Sequence, residues 1–219
     1  MNSCCLCNEI GLGREVKQWN RALLQSDRFV VVPSLGALKR GWLLIIPKSH
    51  FVSLGALSAD LAIELNTLKI RVASMMTAMF GPVCAFEHGP GAAKRSVGCG
   101  VDHAHLHMVP IDFDLVAAAQ TFLPPGTTWT WATWDNCREA TRSGCDYLYI
   151  EQPVGNGRIA INPALGSQIF RKAIAAHLGV PEQFNWRDFP QERNILDTIT
   201  AFADLPISGP GDITHSGRL

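Results

Sequence analysis

The chain has 219 residues, 47% hydrophobic and 17% charged, which is apolar enough for a sizeable core and argues against general disorder. Lys+Arg and Asp+Glu balance at 19 each, so a nucleic-acid partner held by a strong overall positive field is not expected, a local patch aside. No stretch approaches the roughly 20 apolar residues of a membrane span, and the N-terminal Met-Asn-Ser-Cys-Cys-Leu-Cys lacks the basic and apolar regions of a secretory signal. A soluble cytoplasmic protein with no membrane partner is expected.

Seven cysteines, Cys4, Cys5, Cys7, Cys84, Cys99, Cys137 and Cys145, are an odd number with three in the first seven positions. That pattern fits metal ligation or free thiols better than a disulfide framework. Phe29–Val32 and Trp42–Ile46 read as strands, each running into a proline. Ser58 to Phe80 reads as the longest helix, with Ser58 as N-cap, Asp60 in the first turn and Gly81-Pro82 as the stop. Leu61, Leu65, Leu68, Val72, Met75, Met76 and Met79 recur at helical spacing and read as core.

Strands over Val83–His88 and His103–Ile111 follow, around a loop holding Gly89, Gly91, Gly98 and Gly100. Strand, strand, helix, strand, strand predicts an α+β fold, an antiparallel sheet carrying a long helix. Beyond Pro124-Pro125-Gly126 come a Trp/Thr stretch, a hairpin pairing Tyr147–Glu151 with Arg158–Ile161, and helices near Pro163–Leu178 and Gln191–Ala203. Trp129 and Trp131 share a strand face and read as core, or as a platform for a base.

The chemistry concentrates in Asp102-His103-Ala104-His105-Leu106-His107-Met108-Val109-Pro110. Alternation on a strand puts His103, His105 and His107 on one face, and Ala104, Leu106 and Met108 on the core side. Such a row suits either a metal ion or nucleophilic catalysis at phosphorus, in which one imidazole forms a phosphoramidate while its neighbours hold oxygens and handle protons. The glycine loop with Lys94 and Arg95 favours phosphate, because glycine lets backbone N–H groups approach an anion closely.

His103-Ala104-His105-Leu106-His107-Met108-Val109 resembles the His-x-His-x-His-x-x motif of the histidine triad (HIT) superfamily of nucleotide hydrolases and transferases. Pro47-Lys48-Ser49-His50 is similar to that family's Pro-Lys-x-His segment. The resemblance implies a HIT-like catalytic domain over residues 1–115, an α+β extension packed on it over 116–205, and a flexible tail over 206–219. It implies that His105 attacks the α-phosphate of a nucleotide, that His107 contacts phosphate and helps with proton transfer, and that Gly98 and Gly100 line the phosphate pocket. Histidine rather than glutamine at position 107 favours hydrolysis over uridylyl transfer.

The Cys4-x-x-Cys7 pair, read through the zinc-bearing branch of the family, joins His50 and His103 in a structural Zn²⁺ site. Phe86-Glu87-His88-Gly89, Ser167–Arg171 and Trp186-Arg187 resemble a longer, CwfJ-like branch. His88, Gln168 and Arg171 become candidate substrate contacts on that basis, Gln168 and Arg171 sharing a helix face at i,i+3. The expected activity is hydrolysis of a nucleotide phosphoanhydride, phosphoramidate or phosphoester. A transferase or phosphorylase with the same intermediate, or a non-catalytic nucleotide or RNA-binding adaptor, are the alternatives. The resemblance leaves the oligomeric state open, because short family members commonly form homodimers, whereas the C-terminal hundred residues could occupy that surface or complete the pocket instead.

Overall fold

The structure is a computed structural model that describes residues 4–10, 22–95, 97 and 100–204. Gly98 and the tail 206–219 lie outside these described residues. The strands are β1 (Leu24–Gln25), β2 (Phe29–Pro33), β3 (Leu43–Pro47), β4 (Val83–Gly89), β5 (Leu106–Pro110), β6 (Thr130–Trp131), β7 (Tyr147–Glu151) and β8 (Gly157–Ile161). They form one antiparallel sheet in the order β1-β2-β3-β5-β4-β7-β8-β6. The helices are α1 (Cys5–Ile10), α2 (Ala59–Phe80), α3 (Leu115–Gln120), α4 (Trp134–Arg142), α5 (Ile169–His177) and α6 (Glu192–Ala203). The fold is α+β.

Strand alternation sorts the core into two layers. Leu43, Ile45, Ala85, Leu106 and Met108 face Leu65, Leu68, Val72 and Met76 of α2. Trp42, Cys84, Phe86 and Val109 face the other way, against Leu115 and Ala119 of α3 and Phe170 and Ile174 of α5. Met76 is fully buried, and Met75 and Met79 pack against the same cluster, so the methionines are core, as their spacing predicts. The late elements join the same sheet, because β7 pairs with β4 from Ala85↔Glu151 to Gly89↔Tyr147. Across this seam Lys69 of α2 meets Glu151 of β7 at 2.5 Å, both almost fully buried. Glu151 also accepts from Tyr149 Oη at 3.1 Å and Gly155 N at 2.7 Å, which satisfies the carboxylate that burial would otherwise penalise.

The structure differs from the sequence reading at several boundaries. β5 begins at Leu106, not His103. Upstream of it the chain leaves the ladder, because Ala104 N donates to Phe51 O at 2.7 Å and His103 is engaged with Pro47 O. The helix expected from Pro163 starts at Ile169, because Asn162 folds the preceding residues into a turn and Gln168 adopts a left-handed conformation, φ 59°. Two helices were not foreseen in the C-terminal half. α3 is capped by Asp114, whose Oδ1 accepts from Ala117 N, and α4 by a reciprocal Thr133/Asn136 box. Trp129 packs beside Phe170 in the core, but Trp131 is 71% exposed and lies under the Arg158 guanidinium.

Candidate active site and metal centre

β3 and β4 flank β5 and fix the position of His107: Leu44↔His107 and Phe86↔His107 are register partners. His107 is almost fully buried, stacked on Phe86 with ring centroids 4.6 Å apart. Its Nδ1 lies 3.0 Å from Trp42 Nε1. An indole nitrogen only donates, so Nδ1 is the acceptor and the proton of the neutral ring sits on Nε2. Burial, with His105, His88 and Arg171 nearby, holds the His107 pKa well below its ordinary value, so the ring is neutral. His107 Nε2 has no hydrogen-bond partner among the described residues.

His105 is set by the opposite logic. Its Nδ1 lies 2.7 Å from the His103 carbonyl oxygen. A carbonyl only accepts, so Nδ1 carries the proton and Nε2 keeps its lone pair. Burial pushes its pKa down, opposed by that hydrogen bond. The rings of His105 and His107 stand 4.8 Å apart and line a common cavity of about 150 Å³. Two rings that line one cavity therefore differ in protonation, His105 with a lone pair on Nε2 and His107 with the proton there.

The remaining lining is mostly apolar, from Leu6, Leu35, Leu44, Val101 and Trp186, with Cys5, Ser34 and Arg171. Arg171, on α5, is buried, donates to Phe184 O at 2.7 Å and Gly36 O at 2.5 Å, and lies over the Trp42 ring. The structure thus brings Arg171 to His105 and His107 from a helix far along the chain. Gln168 is buried at the start of α5 with its Oε1 unpartnered among the described residues, and it does not line the cavity. His88 sits behind the pair, 6.1 Å from the His107 ring, with Phe170 N 3.4 Å from its Nε2. Burial lowers the His88 pKa to about 3, so it is a neutral packing partner of His107. Glu87 points to the other face, as alternation requires, where it accepts from Leu54 N and Tyr147 Oη at 2.6 Å each.

The glycine loop divides its tasks. Gly91 N donates to Asp146 Oδ1 at 2.8 Å and Lys94 N to Asp102 Oδ1 at 3.0 Å, so these N–H groups are committed to carboxylates of the chain itself. Gly100, at φ 72°, needs the left-handed region that glycine adopts freely, and its carbonyl accepts from Arg187 Nη2 at 3.1 Å.

A second cluster lies immediately upstream. One donor atom from each of Cys4, Cys7, His50 and His103 falls within 4.8 Å of all the others. His103 Nδ1 is 3.5 Å from Cys4 Sγ and 3.3 Å from Cys7 Sγ, and His50 Nδ1 is 3.4 Å from Cys7 Sγ. Ligands at about 2.0–2.3 Å around a tetrahedral ion stand about 3.5 Å apart, so the set fits a metal ion. His103 Nε2 lies 2.8 Å from Pro47 O, which fixes the proton there and leaves Nδ1 for the ion.

No protein-family model and no curated protein sequence matches the chain. Solved structures of HIT proteins are similar to it. A HIT family protein from Bacillus anthracis is 22% identical, covering 52% of this chain and 76% of its own, with a TM-score of 0.41. A Zn-bound histidine triad family protein from Mycobacterium smegmatis is 18% identical over 65% of this chain and 92% of its own, TM-score 0.39. A GalT-like protein from Arabidopsis thaliana is 10% identical over 86% of this chain and 89% of its own, TM-score 0.38. The geometry of the chain's own residues carries the functional reading.

Sequence reasoning missed Trp42, which read as an ordinary strand residue, and the cavity wall of Leu6, Leu35, Leu44 and Val101. Nothing in a pattern of apolar residues distinguishes a pocket wall from a core. The sequence offers Trp186 only through a resemblance, and its place in the lining comes from the approach of its segment to Gly36.

Proposed function

We propose that this protein is a HIT-type nucleotidyl hydrolase acting at the α-phosphate of a nucleotide phosphoanhydride, phosphoramidate or phosphoester. The observation that carries this reading is the opposed protonation of two adjacent rings, His105 with a bare Nε2 and His107 with an Nε2–H, at one cavity. In the first step His105 Nε2 bonds to the α-phosphorus and the bond from phosphorus to the leaving group breaks. The leaving group departs with the electron pair and takes up a proton from solvent. The imidazolium so formed is stabilised by its Nδ1–H bond to His103 O. In the second step water attacks phosphorus, the P–N bond breaks, a proton is released, and the nucleoside monophosphate leaves.

His107 serves as a fixed donor to a phosphate oxygen as charge develops. Its Nδ1 is occupied by Trp42, so giving up the Nε2 proton would leave an imidazolate. That favours the phosphate-contact part of the role expected for it over proton transfer. Arg171 adds positive charge at the same wall, and Gly100 holds the loop beside it. Gly98 is kept in this proposal by its position in the sequence alone, Gln168 as a support for the start of α5, and His88 as a support for His107.

Cys4, Cys7, His50 and His103 would hold a structural Zn²⁺, a closed four-ligand set that supplies rigidity and leaves no open position for substrate. Its effect on chemistry passes through His103, whose carbonyl orients the His105 ring. Turnover tests the proposal. The wild type and His105→Ala are incubated with a nucleoside 5′-phosphoramidate, dinucleoside polyphosphates and nucleotide sugars, and products are resolved by chromatography. Monophosphate release by the wild type alone is expected. Equal release by both excludes His105 as nucleophile.

A further inference from the structure

Cys4 and Cys7 bracket two residues, Cys5 and Leu6, that belong to the other site: both line the cavity that holds His105 and His107. Leu6 packs against Val30, Val32 and Ile46, beside Leu44, which is also a lining residue. The element that carries them, α1, has six residues. A helix this short does not hold itself together in water, because nucleation costs more than so few hydrogen bonds return. Its described anchors include the contacts of Cys4 and Cys7 Sγ with the His103 and His50 rings, and the seat of Leu6 on the sheet.

We propose that metal occupancy of the Cys4–Cys7–His50–His103 cluster builds this wall, and that metal and nucleotide therefore bind with positive cooperativity through Leu6. The proposal rests on the nucleotide-substrate reading above and adds to it a linkage and the residue that transmits it. Leu6 and Trp186, far apart in the sequence, supply apolar surface fit for the flat face of a base, while His105, His107 and Arg171 take the phosphate. Loss of the metal frees Cys4 and Cys7, and with them the wall, so an apo chain meets the base with water where Leu6 had stood. Linkage is reciprocal: whatever factor the metal contributes to nucleotide affinity, the nucleotide contributes to metal affinity.

The test uses the full-length zinc-loaded chain. Metal release to the chromogenic chelator 4-(2-pyridylazo)resorcinol is followed with and without AMP, and AMP binding is measured in parallel by calorimetry, with GMP, CMP and UMP as further probes. AMP is expected to raise metal affinity roughly tenfold, a size ordinary for coupled sites. AMP that chelated zinc directly would accelerate release, the opposite sign. Leu6→Ala is expected to keep one metal per chain and to lose most of the AMP effect, and Leu6→Met, which keeps the volume, to retain it. The Met variant separates lost coupling from lost folding. Nucleotide binding with metal affinity unchanged overturns the linkage and leaves the hydrolase reading standing. Absence of binding by all four nucleotides to the loaded wild type overturns both.

Discussion

The indole N–H of Trp42 donates to His107 Nδ1 at 3.0 Å, and this one bond decides which nitrogen of the neutral His107 ring carries the proton. Neither residue could do this alone. A buried neutral histidine has two tautomers, and only a donor at Nδ1 leaves Nε2–H to meet an oxygen.

Trp42→Phe keeps an aromatic ring but removes the donor. His107 then populates both tautomers, and kcat is expected to fall roughly tenfold, less than the loss on deleting a preset donor outright. Stability is expected to fall by about 2 kcal/mol from the lost hydrogen bond and lost volume. Steady-state kinetics and urea unfolding check the two effects separately.

Metal content distinguishes the two histidine roles. One Zn²⁺ per chain is expected by elemental analysis, kept in His105→Ala and lost in Cys7→Ala, with a lower melting temperature in the latter. Metal lost with His105→Ala would place that ring among the ligands and end its assignment as nucleophile.

The alternation around His107 is legible in the sequence because local spacing encodes it. Leu106 and Met108 are core and His107 faces away, as alternation demands. The four metal-cluster residues come together as the resemblance implied. What spacing does not encode is which distant residue finishes a site. Arg171 and Trp186 reach the cavity because β7 joins β4 and carries the later elements over the His107 face, a pairing between segments sixty residues apart in the chain. The start of the histidine strand was misplaced for a related reason. His103 satisfies its ring against Pro47 O rather than extending a ladder, a competition that residue propensities do not register.

Glu87 gives stability a pH dependence. Burial raises its pKa to about 7, against the hydrogen bonds from Leu54 N and Tyr147 Oη, which favour the ionised form. The folded state thus binds this proton more tightly than the unfolded state, whose carboxyl titrates at about 4.3. The destabilisation is absent below about pH 4, grows through the window up to about pH 7, and is complete above it. It amounts to about 4 kcal/mol. The difference between wild type and Glu87→Gln, followed by urea unfolding across this window, isolates the effect. The wild type is expected to lose stability relative to the variant as pH rises.

The Lys69–Glu151 pair should behave as a buried ion pair does. Lys69→Met leaves the Glu151 carboxylate buried without its cation and is expected to cost about 3–5 kcal/mol. Adding Glu151→Gln is expected to recover much of that loss. A double-mutant cycle by urea denaturation measures the coupling, and additive losses would show that the two charges are stabilised independently.

The nucleophile itself is most directly tested by trapping. The zinc-loaded wild type is mixed with a dinucleoside polyphosphate, quenched within the first turnover under alkaline conditions that preserve phosphoramidates, digested, and mapped by tandem mass spectrometry. A nucleotidyl group on His105, absent from His105→Ala, is the predicted result. A nucleotidyl group on another residue, with turnover intact in His105→Ala, would contradict the mechanism at its centre.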